Sequence, residues 1–301
     1  AHTYYPTWLY DNAKKITLDG KTYAHDPIMD EALEFVRANK NKPFFCFLPV
    51  TIPHAAMHVP EKYAAPFRKQ FPQFEDKIGK YKGPDVKNPP AMFAGMMTKL
   101  DEGVGQLLDL VSELRIDANT IILLSSDNGP HKEGGHMPEF FDSNGPLKGY
   151  KRDLYEGGIR VPLVARWPGK IKPRTVSNHI SAHWDIFPTF CELAGKDVPS
   201  GLDGKSLVPT LLGRGGQKNH DYLYWEFHER SGARAVRFGK WKAIQNHLKK
   251  QEDPPIELYD LSTDIGETKD LAEQKPQLVA RARSYFDEAH SPSEIWKLPG
   301  E

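Results

Sequence analysis

Two oxygen-bearing side chains stand together where an apolar run of the sequence ends. Asp127 and Asn128 follow the aliphatic residues 121–124 and precede Gly129. Such a run is typical of a strand covered on both faces, and in open α/β sheets ligands bind beyond the carboxyl ends of the strands. Carboxylate and amide oxygens suit Ca²⁺ or Mg²⁺ better than zinc. The pair is therefore a candidate cation site, with an ordinary Asp-Asn-Gly turn as the alternative.

A histidine stands at the end of a second apolar run. Residues 44–50 have the composition of a buried strand, and His54 follows it much as Asp127 follows residues 121–124. An imidazole in that place can serve as an acid or bind an anion. It can equally be structural, because both ring nitrogens find partners easily. His58 has the same two interpretations.

A long polar connection, residues 130–160, carries the remaining candidates. It is rich in glycine and shows little periodicity. Its side chains that could contact a ligand or orient one are His131, Glu133, His136 and Arg152, while Lys148 by itself has the character of an ordinary solvated surface lysine. Asp153 and Arg160, in the same connection, are expected to pair structurally.

The block that follows the Asp-Asn-Gly turn resembles a known family. Residues 143–169, SNGPLKGYKRDLYEGGIRVPLVARWPG, are similar to the segment after the metal-binding Asp-Asn-Gly of type I sulfatases. The similarity is greatest to bacterial carbohydrate sulfatases, which are grouped with arylsulfatases and N-acetylgalactosamine sulfatases. Further similar blocks are residues 43–54, 184–190, 202–207 and 257–261.

The resemblance implies an enzyme that hydrolyses sulfate monoesters on a carbohydrate, with Ca²⁺ as cofactor. It makes Asp127 and Asn128 calcium ligands. It gives His54 and Lys148 catalytic and sulfate-binding roles. The further residues expected to contact the substrate are His58, His131, His136 and Arg152.

The family's nucleophile is a formylglycine, made from Cys or Ser in a Cys/Ser-x-Pro-x-Arg motif. The 301 residues contain no such motif. We therefore expect a C-terminal portion of a sulfatase that is inactive alone and has the N-terminal portion as a partner. The resemblance also implies a periplasmic or secreted protein.

Two other functions compete with this one. The first is a phosphatase or phosphodiesterase of the alkaline phosphatase superfamily, whose sites hold two zinc ions. Asn128, where such enzymes have a histidine, argues against it. The second is a non-catalytic module that binds sulfated glycans.

The periodicity of the chain predicts an α/β protein. We expect a mixed, largely parallel sheet flanked by helices, of the alkaline phosphatase/sulfatase type, followed by a small antiparallel sheet and a closing helix. The catalytic portion would comprise residues 1–214 and a small α+β subdomain residues 215–301, divided at the glycine-rich residues 213–216. Helices are expected from Asp26, over residues 93–114, 184–193 and 268–289, and a functional loop over residues 58–90.

The charge balance excludes some partners. Forty basic and forty acidic side chains cancel, so no overall field attracts nucleic acid or an anionic membrane. No apolar run is long enough to cross a bilayer. An anionic substrate would have to be bound by local groups.

Overall fold

The computed structural model describes residues 3–299. The chain divides into two compact units. The first consists of residues 3–120 and 131–143, and the second of Ile121–Pro130 and residues 144–299. The predicted boundary at residues 214 and 215 lies within the second unit and stays a prediction.

The first unit is built from three helices and two short antiparallel hairpins. Its elements are β1 (Trp8–Asp11), β2 (Lys14–Thr17), α1 (His25–Asn39), α2 (Glu61–Gln70), β3 (Ile78–Gly79), β4 (Val86–Lys87), α3 (Pro89–Glu113) and a 3₁₀ turn, Glu133–Gly135. The Asn88 side chain accepts a hydrogen bond from the Ala91 amide at 3.1 Å, which caps α3 at the start of its proline-containing first turn. The apolar face of α3, with Met92 and Met96, packs in a core with Tyr4 and Tyr23.

Two predictions for the first unit are wrong. Residues 58–90 are not a structureless loop, because they contain α2, β3 and β4. Residues 44–50 form no strand, and Phe45 and Phe47 are 67% and 76% exposed. Composition predicted burial, but a strand also needs backbone hydrogen bonds to a neighbour, and none of the described strands pairs with this segment.

The second unit begins with the strand that precedes Asp127. Its elements are β5 (Ile122–Ser125), α4 (Glu156–Ile159), β6 (Leu163–Arg166), α5 (Ile186–Leu193), α6 (Val208–Leu211), β7 (Leu223–Phe227), β8 (Ala233–Phe238), β9 (Trp241–Asn246), β10 (Ile256–Asp260) and α7 (Pro276–Ala289). Strands β5 and β6 pair with each other. Strands β7 to β10 form a second, four-stranded sheet.

Apolar residues pack against both faces of the four-stranded sheet. On one face α7 packs Ala282 and Phe286 against Val236 and Leu258. On the other face a separate apolar cluster includes Leu154 from the connection after β5. The sheet therefore anchors residues near 148–156, which belong to the candidate site.

The predicted small antiparallel sheet followed by a helix is confirmed. The largely parallel sheet is not seen among residues 3–299, where β5 pairs antiparallel with β6 and all other strand pairs are antiparallel too. The sequence predicted a strand covered on both faces, but Ile122 and Leu123 are half-buried and Leu124 is exposed. Strand direction depends on the neighbour, which an apolar run does not specify. Over the described residues, no helix is both long and apolar enough to span a membrane.

Candidate functional site

Asp127 and Asn128 form a turn directly after β5. The Asp127 side chain is exposed, and Asn128 is half-buried. The amide nitrogen of Asn128 donates to the Gly129 carbonyl at 2.8 Å, and the Ser126 hydroxyl donates to the Asn128 carbonyl at 2.9 Å. Because the nitrogen end of the Asn128 amide is engaged, its oxygen is the end that can bind a cation. Asp127 and Asn128 thus offer two oxygen donors, of the kind that Ca²⁺ prefers.

Close backbone contacts hold this turn in place. The Gly129 amide donates to the Gly158 carbonyl at 2.9 Å, and a Cβ at Gly129 would lie 1.9 Å from the Gly157 carbonyl oxygen. The Lys151 amide donates to the Pro130 carbonyl at 2.8 Å. Only glycine fits at position 129 because the backbone of α4 approaches so closely. The Asp127 turn and residues 149–158 are therefore held together.

Lys148 is held by aromatic and carbonyl groups. Its ammonium donates to the Glu267 carbonyl at 3.0 Å and to the Tyr259 hydroxyl at 3.4 Å. It also lies 4.0 Å from the centroid of the Tyr155 ring, a cation–π contact. These contacts indicate a structural role for Lys148, although its predicted sulfate-binding role is not tested by them.

A buried charge network lies behind Lys148. The Lys242 ammonium contacts the Glu156 carboxylate at 2.8 Å, and Arg237 contacts the same carboxylate at 3.0 Å. Burial would raise the pKa of Glu156, but the charges of Lys242 and Arg237 hold it below its ordinary value. The Glu267 carboxylate accepts from the Glu156 amide at 2.7 Å, and burial raises the pKa of Glu267 to about 7. This network fixes α4, and with it the glycines against which Gly129 packs.

Arg152 and Arg160 have acidic partners in the second unit. Arg152 has a positive φ of 80° and contacts Glu229 at 3.7 Å. Arg160 contacts Glu156 at 3.6 Å, so its expected partner Asp153 is replaced by Glu156. The Asp153 carboxylate instead accepts from the Tyr150 amide at 2.9 Å.

In the first unit, His54 and His131 lie close together. Their ring centroids are 5.9 Å apart, and Tyr81 lies 6.1 Å from His54. His131 contacts the Pro53 carbonyl at 3.2 Å through one ring nitrogen and the Glu133 carboxylate at 3.3 Å through the other. The Glu133 contact and the Pro53 contact fix the ring of His131 beside His54.

His136 is buried in an aromatic setting. Its ring stacks on Phe93 at 3.8 Å and lies 5.0 Å from His131. Neither of its ring nitrogens has a hydrogen-bond partner among residues 3–299. Burial, assisted by the neighbouring His131, lowers the pKa of His136 to about 3. The imidazole is therefore neutral at pH 7.

His58 has a different environment from His54. Its Nε2 contacts the Pro84 carbonyl at 2.8 Å, and its own carbonyl accepts from the Tyr23 hydroxyl at 2.9 Å. The ring is buried. These contacts favour the structural interpretation of His58.

The first unit thus brings together His54, His131 and His136, and the second unit keeps Asp127 beside Asn128. A second lysine of the same loop, Lys151, lies three residues after Lys148 and was not among the sequence predictions. The family resemblance selected Lys148, and that role stays a prediction. The backbone amide of Lys151 is bonded to the Pro130 carbonyl, close in sequence to the Asp127 turn. The structure contains no group of three or more acidic, histidine or cysteine side chains suited to a metal within residues 3–299.

Two family models match this chain. A model described as Sulfatase matches residues 1–196, and one described as N-sulphoglucosamine sulphohydrolase, C-terminal, matches residues 149–284. Because the first covers more than half of the 301 residues, the chain belongs to the sulfatase family. The second model, which describes a C-terminal region, includes the sheet β7–β10 among the residues that it matches.

Curated relatives agree with this assignment. The steryl-sulfatase of Rattus norvegicus is 31% identical over 76% of this chain, which spans 37% of that relative. A sulfatase of Formosa agariphila is 28% identical over 96% of this chain, which spans 53% of it. The N-acetylgalactosamine-6-O-sulfatase of Bacteroides thetaiotaomicron is 28% identical over 84%, and the chain spans 48% of it. The chain therefore spans about half or less of the length of these relatives.

Solved structures confirm the predicted sulfatase-like α/β fold. The structure of Ps i-CgsB in complex with k-i-k-neocarrahexaose superposes with a TM-score of 0.76 and 27% identity, covering 92% of this chain and 56% of that one. The structure of BT4656 in complex with D-glucosamine-2-N,6-O-disulfate superposes with a TM-score of 0.75 and 21% identity. The match covers 96% of this chain and 73% of that one. The second likeness shows the fold alone.

Proposed function

We propose that the protein hydrolyses sulfate monoesters on a carbohydrate. The observation that carries the proposal is the Asp127–Asn128 turn, held against residues 149–158 in a chain of the sulfatase family. The similarity to an N-acetylgalactosamine-6-O-sulfatase and to a protein solved in complex with k-i-k-neocarrahexaose supports the substrate class.

Asp127 and Asn128 would hold part of a Ca²⁺ site. Their oxygens fit a hard cation, but Ca²⁺ takes about six to eight oxygen ligands, so further donors are required. When bound, the ion supplies positive charge that stabilises the anionic sulfate group. The absence of a histidine at position 128 speaks against the two-zinc phosphatase alternative.

The remaining roles follow from charge and hydrogen bonding. We assign the sulfate-binding cation to Lys151, because the Lys148 ammonium is engaged with Tyr259 and Glu267, while the Lys151 backbone is bonded to Pro130 beside the Asp127 turn. His54 is proposed to bind the sulfate and to protonate the departing alkoxide, as the family resemblance implies. A proton donor is needed there because an alkoxide is a poor leaving group at neutral pH.

The nucleophile is proposed to come from sequence outside these residues. No Cys/Ser-x-Pro-x-Arg motif occurs in the 301 residues, and the chain spans 37–53% of the relatives described above. We propose that the chain alone is inactive and that the full gene product carries formylglycine. We further propose export to the periplasm or the cell exterior, which fractionation of expressing cells would test.

The proposal is tested by replacing Asp127 with alanine in the full gene product. Turnover of a sulfated sugar should fall about 100-fold or more, since removal of one charge-stabilising group costs about 10²–10³ in rate. Calcium should raise the unfolding temperature of the wild type and not of the variant, because a ligand stabilises the state that binds it. Asp197→Ala, at an exposed loop position, is the matched control.

A wild-type protein that cleaves 4-nitrophenyl phosphate but not the sulfate would point to the phosphatase alternative. Binding of sulfated sugar without any cleavage, in the full gene product, would point to the non-catalytic module. An Asp127→Ala variant with normal turnover and an undiminished response to calcium would overturn the metal assignment.

A further inference from the structure

A cavity of about 620 Å³, widely open to solvent, lies in the second unit, at the end of β7. It is lined by His228, Glu229, Lys249, Trp296 and Lys297, among others. Its volume is within the range of about 300–1,000 Å³ that ligand clefts have. None of these residues has a part in the proposed cleavage of the sulfate ester.

One wall of the cavity is rigid. The two ring nitrogens of His228 contact the Lys297 carbonyl at 2.8 Å and the Glu226 carboxylate at 2.7 Å. Glu226 also accepts from the Tyr224 hydroxyl at 2.6 Å and contacts His290 at 2.5 Å. Because both nitrogens are engaged, the imidazole is fixed in orientation and its face is available for packing.

Trp296 presents a large apolar surface at this wall. Its ring lies 5.5 Å from the His228 ring at an angle of 37°, and the residue is 62% exposed. Its segment is anchored, because the Trp296 amide donates to Ser293 Oγ at 3.0 Å and Pro299 packs so closely on Gly232 that a Cβ there would lie 2.7 Å from it. Because its segment is anchored, the exposed ring of Trp296 is held in place before any ligand binds, and we call this ring the platform.

The charges around the platform favour an anion. Lys249 and Lys297 line the cavity, and the carboxylate of Glu229 is partly neutralised by Arg152 at 3.7 Å. Lys249 also lines a second cavity of about 300 Å³, formed by residues 248–252. Around the two cavities three lysines, Lys249, Lys250 and Lys297, outnumber the carboxylates of Glu229 and Glu252, which favours a ligand that carries negative charge.

One connection contributes residues both to the surroundings of the cavity and to the neighbourhood of the Asp127 turn. Arg152, which contacts Glu229, directly follows Lys151, whose amide is bound to Pro130 beyond the Asp127 turn. Both ends of this connection belong to the second unit. The ion pair at Glu229 and the backbone contact at Pro130 are therefore made by neighbouring residues of the same connection.

We propose that this cavity binds a further sugar unit of a sulfated oligosaccharide. The C–H face of a pyranose ring packs on the exposed indole of Trp296, while Lys249 and Lys297 bind a sulfate group of that sugar. The indole supplies apolar contact area, and the lysines supply charge-assisted hydrogen bonds. This inference rests on the proposed function, because it assigns the second unit a role in choosing the substrate.

The experiment compares two substrates in the full gene product. Trp296→Ala should lower kcat/KM on neocarrahexaose, a sulfated hexasaccharide, about 10-fold, mainly through KM. It should leave cleavage of 4-nitrophenyl sulfate, which has no further sugar unit to occupy the cavity, unchanged. Trp296→Phe should recover part of the loss. Trp8→Ala, which removes another exposed tryptophan from β1, is the matched control and should leave both substrates unaffected.

A binding measurement separates this inference from the proposed function. Calorimetric titration of neocarrahexaose into wild type and Trp296→Ala should show about 10-fold weaker binding to the variant, whether or not the sugar is cleaved. The desulfated hexasaccharide should bind the wild type more weakly, and Lys249→Ala/Lys297→Ala should reduce that difference. Equal binding by wild type and Trp296→Ala, or an equal loss on both substrates, would overturn the inference. A wild type that cleaves neither substrate would contradict the proposed function alone.

Discussion

Lys148 donates a hydrogen bond to the main-chain carbonyl oxygen of Glu267, with 3.0 Å between the two atoms. The same ammonium packs on the Tyr155 ring. These contacts make Lys148 a link between the connection after β5 and the segment that follows β10. Lys148, to which the family resemblance gives a catalytic role, therefore also makes contacts that stabilise the second unit.

Replacing Lys148 with methionine should therefore lower stability. The hydrophobic part of the side chain is kept, while the hydrogen bond to Glu267 and the cation–π contact are lost, which together should cost about 1–3 kcal/mol. Denaturant unfolding of the 301-residue chain measures the change. Unchanged stability together with a lost sulfatase activity in the full gene product would restore Lys148 to the substrate-binding role.

Lys151→Ala should lower turnover and leave stability nearly unchanged, which is the opposite of the result expected for Lys148→Met. The Lys151 backbone amide makes the contact with Pro130, and alanine keeps that amide, so the unfolding transition should stay within about 0.5 kcal/mol of the wild type. Turnover of sulfated sugar should fall about 100-fold if the ammonium faces the sulfate. Lys151→Arg, which keeps the charge, should lose less. Normal turnover in Lys151→Ala would remove it from the proposed site.

Gly129→Ala should prevent the Asp127 turn from forming. The added Cβ would lie 1.9 Å from the Gly157 carbonyl oxygen, which is backbone and cannot rotate away. We expect a loss of about 4 kcal/mol or more in stability, or failure to fold. Gly105→Ala is the control, because a Cβ there meets nothing within 4 Å and alanine favours the helix α3 by up to about 1 kcal/mol. Equal stability of the two variants would show that the backbone contact at Gly129 is dispensable.

The sequence predicted individual helices and strands well, but it predicted poorly which strands pair with each other. Helix α3 and the strands β7 to β10 were evident because their apolar residues recur at helical or alternating spacing. The direction of β5 and the lack of a strand at residues 44–50 were missed, since both depend on a neighbouring strand. Among the site residues, Asp127 and His54 were found at the ends of apolar runs. The structural contacts of Lys148 with Glu267 and Tyr259 could not be foreseen, because these partners lie more than 100 residues away in sequence.

The raised pKa of Glu267 predicts a loss of stability as pH rises. Folding shifts its pKa from the ordinary value of 4.5 to about 7, so the folded chain holds a proton that the unfolded chain releases. The stabilising effect of that proton is complete below about pH 4.5 and is lost as the pH rises through 7. Glu267→Gln imitates the protonated acid. It should match the wild type at pH 4.5 and be about 1–3 kcal/mol more stable at pH 8.

Urea unfolding of both chains at the two pH values measures this difference. A Gln variant that is less stable than the wild type at pH 8 would show that the Glu267 charge is needed to balance Lys242, which lies 4.0 Å away.

The lowered pKa of His136 predicts the reverse pH dependence in the first unit. The buried imidazole stays neutral down to about pH 3, while the unfolded chain takes up a proton near the ordinary value of 6.5. The contribution of the neutral ring to stability is complete above pH 6.5 and is lost as the pH falls towards 3, at about 1.4 kcal/mol per pH unit. His136→Phe keeps a ring that can stack on Phe93 and removes the titrating group. Urea unfolding at pH 7 and pH 5 should therefore show the variant gaining about 2 kcal/mol relative to the wild type on acidification. Parallel losses in the two chains would mean that His136 is protonated in the folded state, and that the aromatic setting does not keep water from its ring nitrogens.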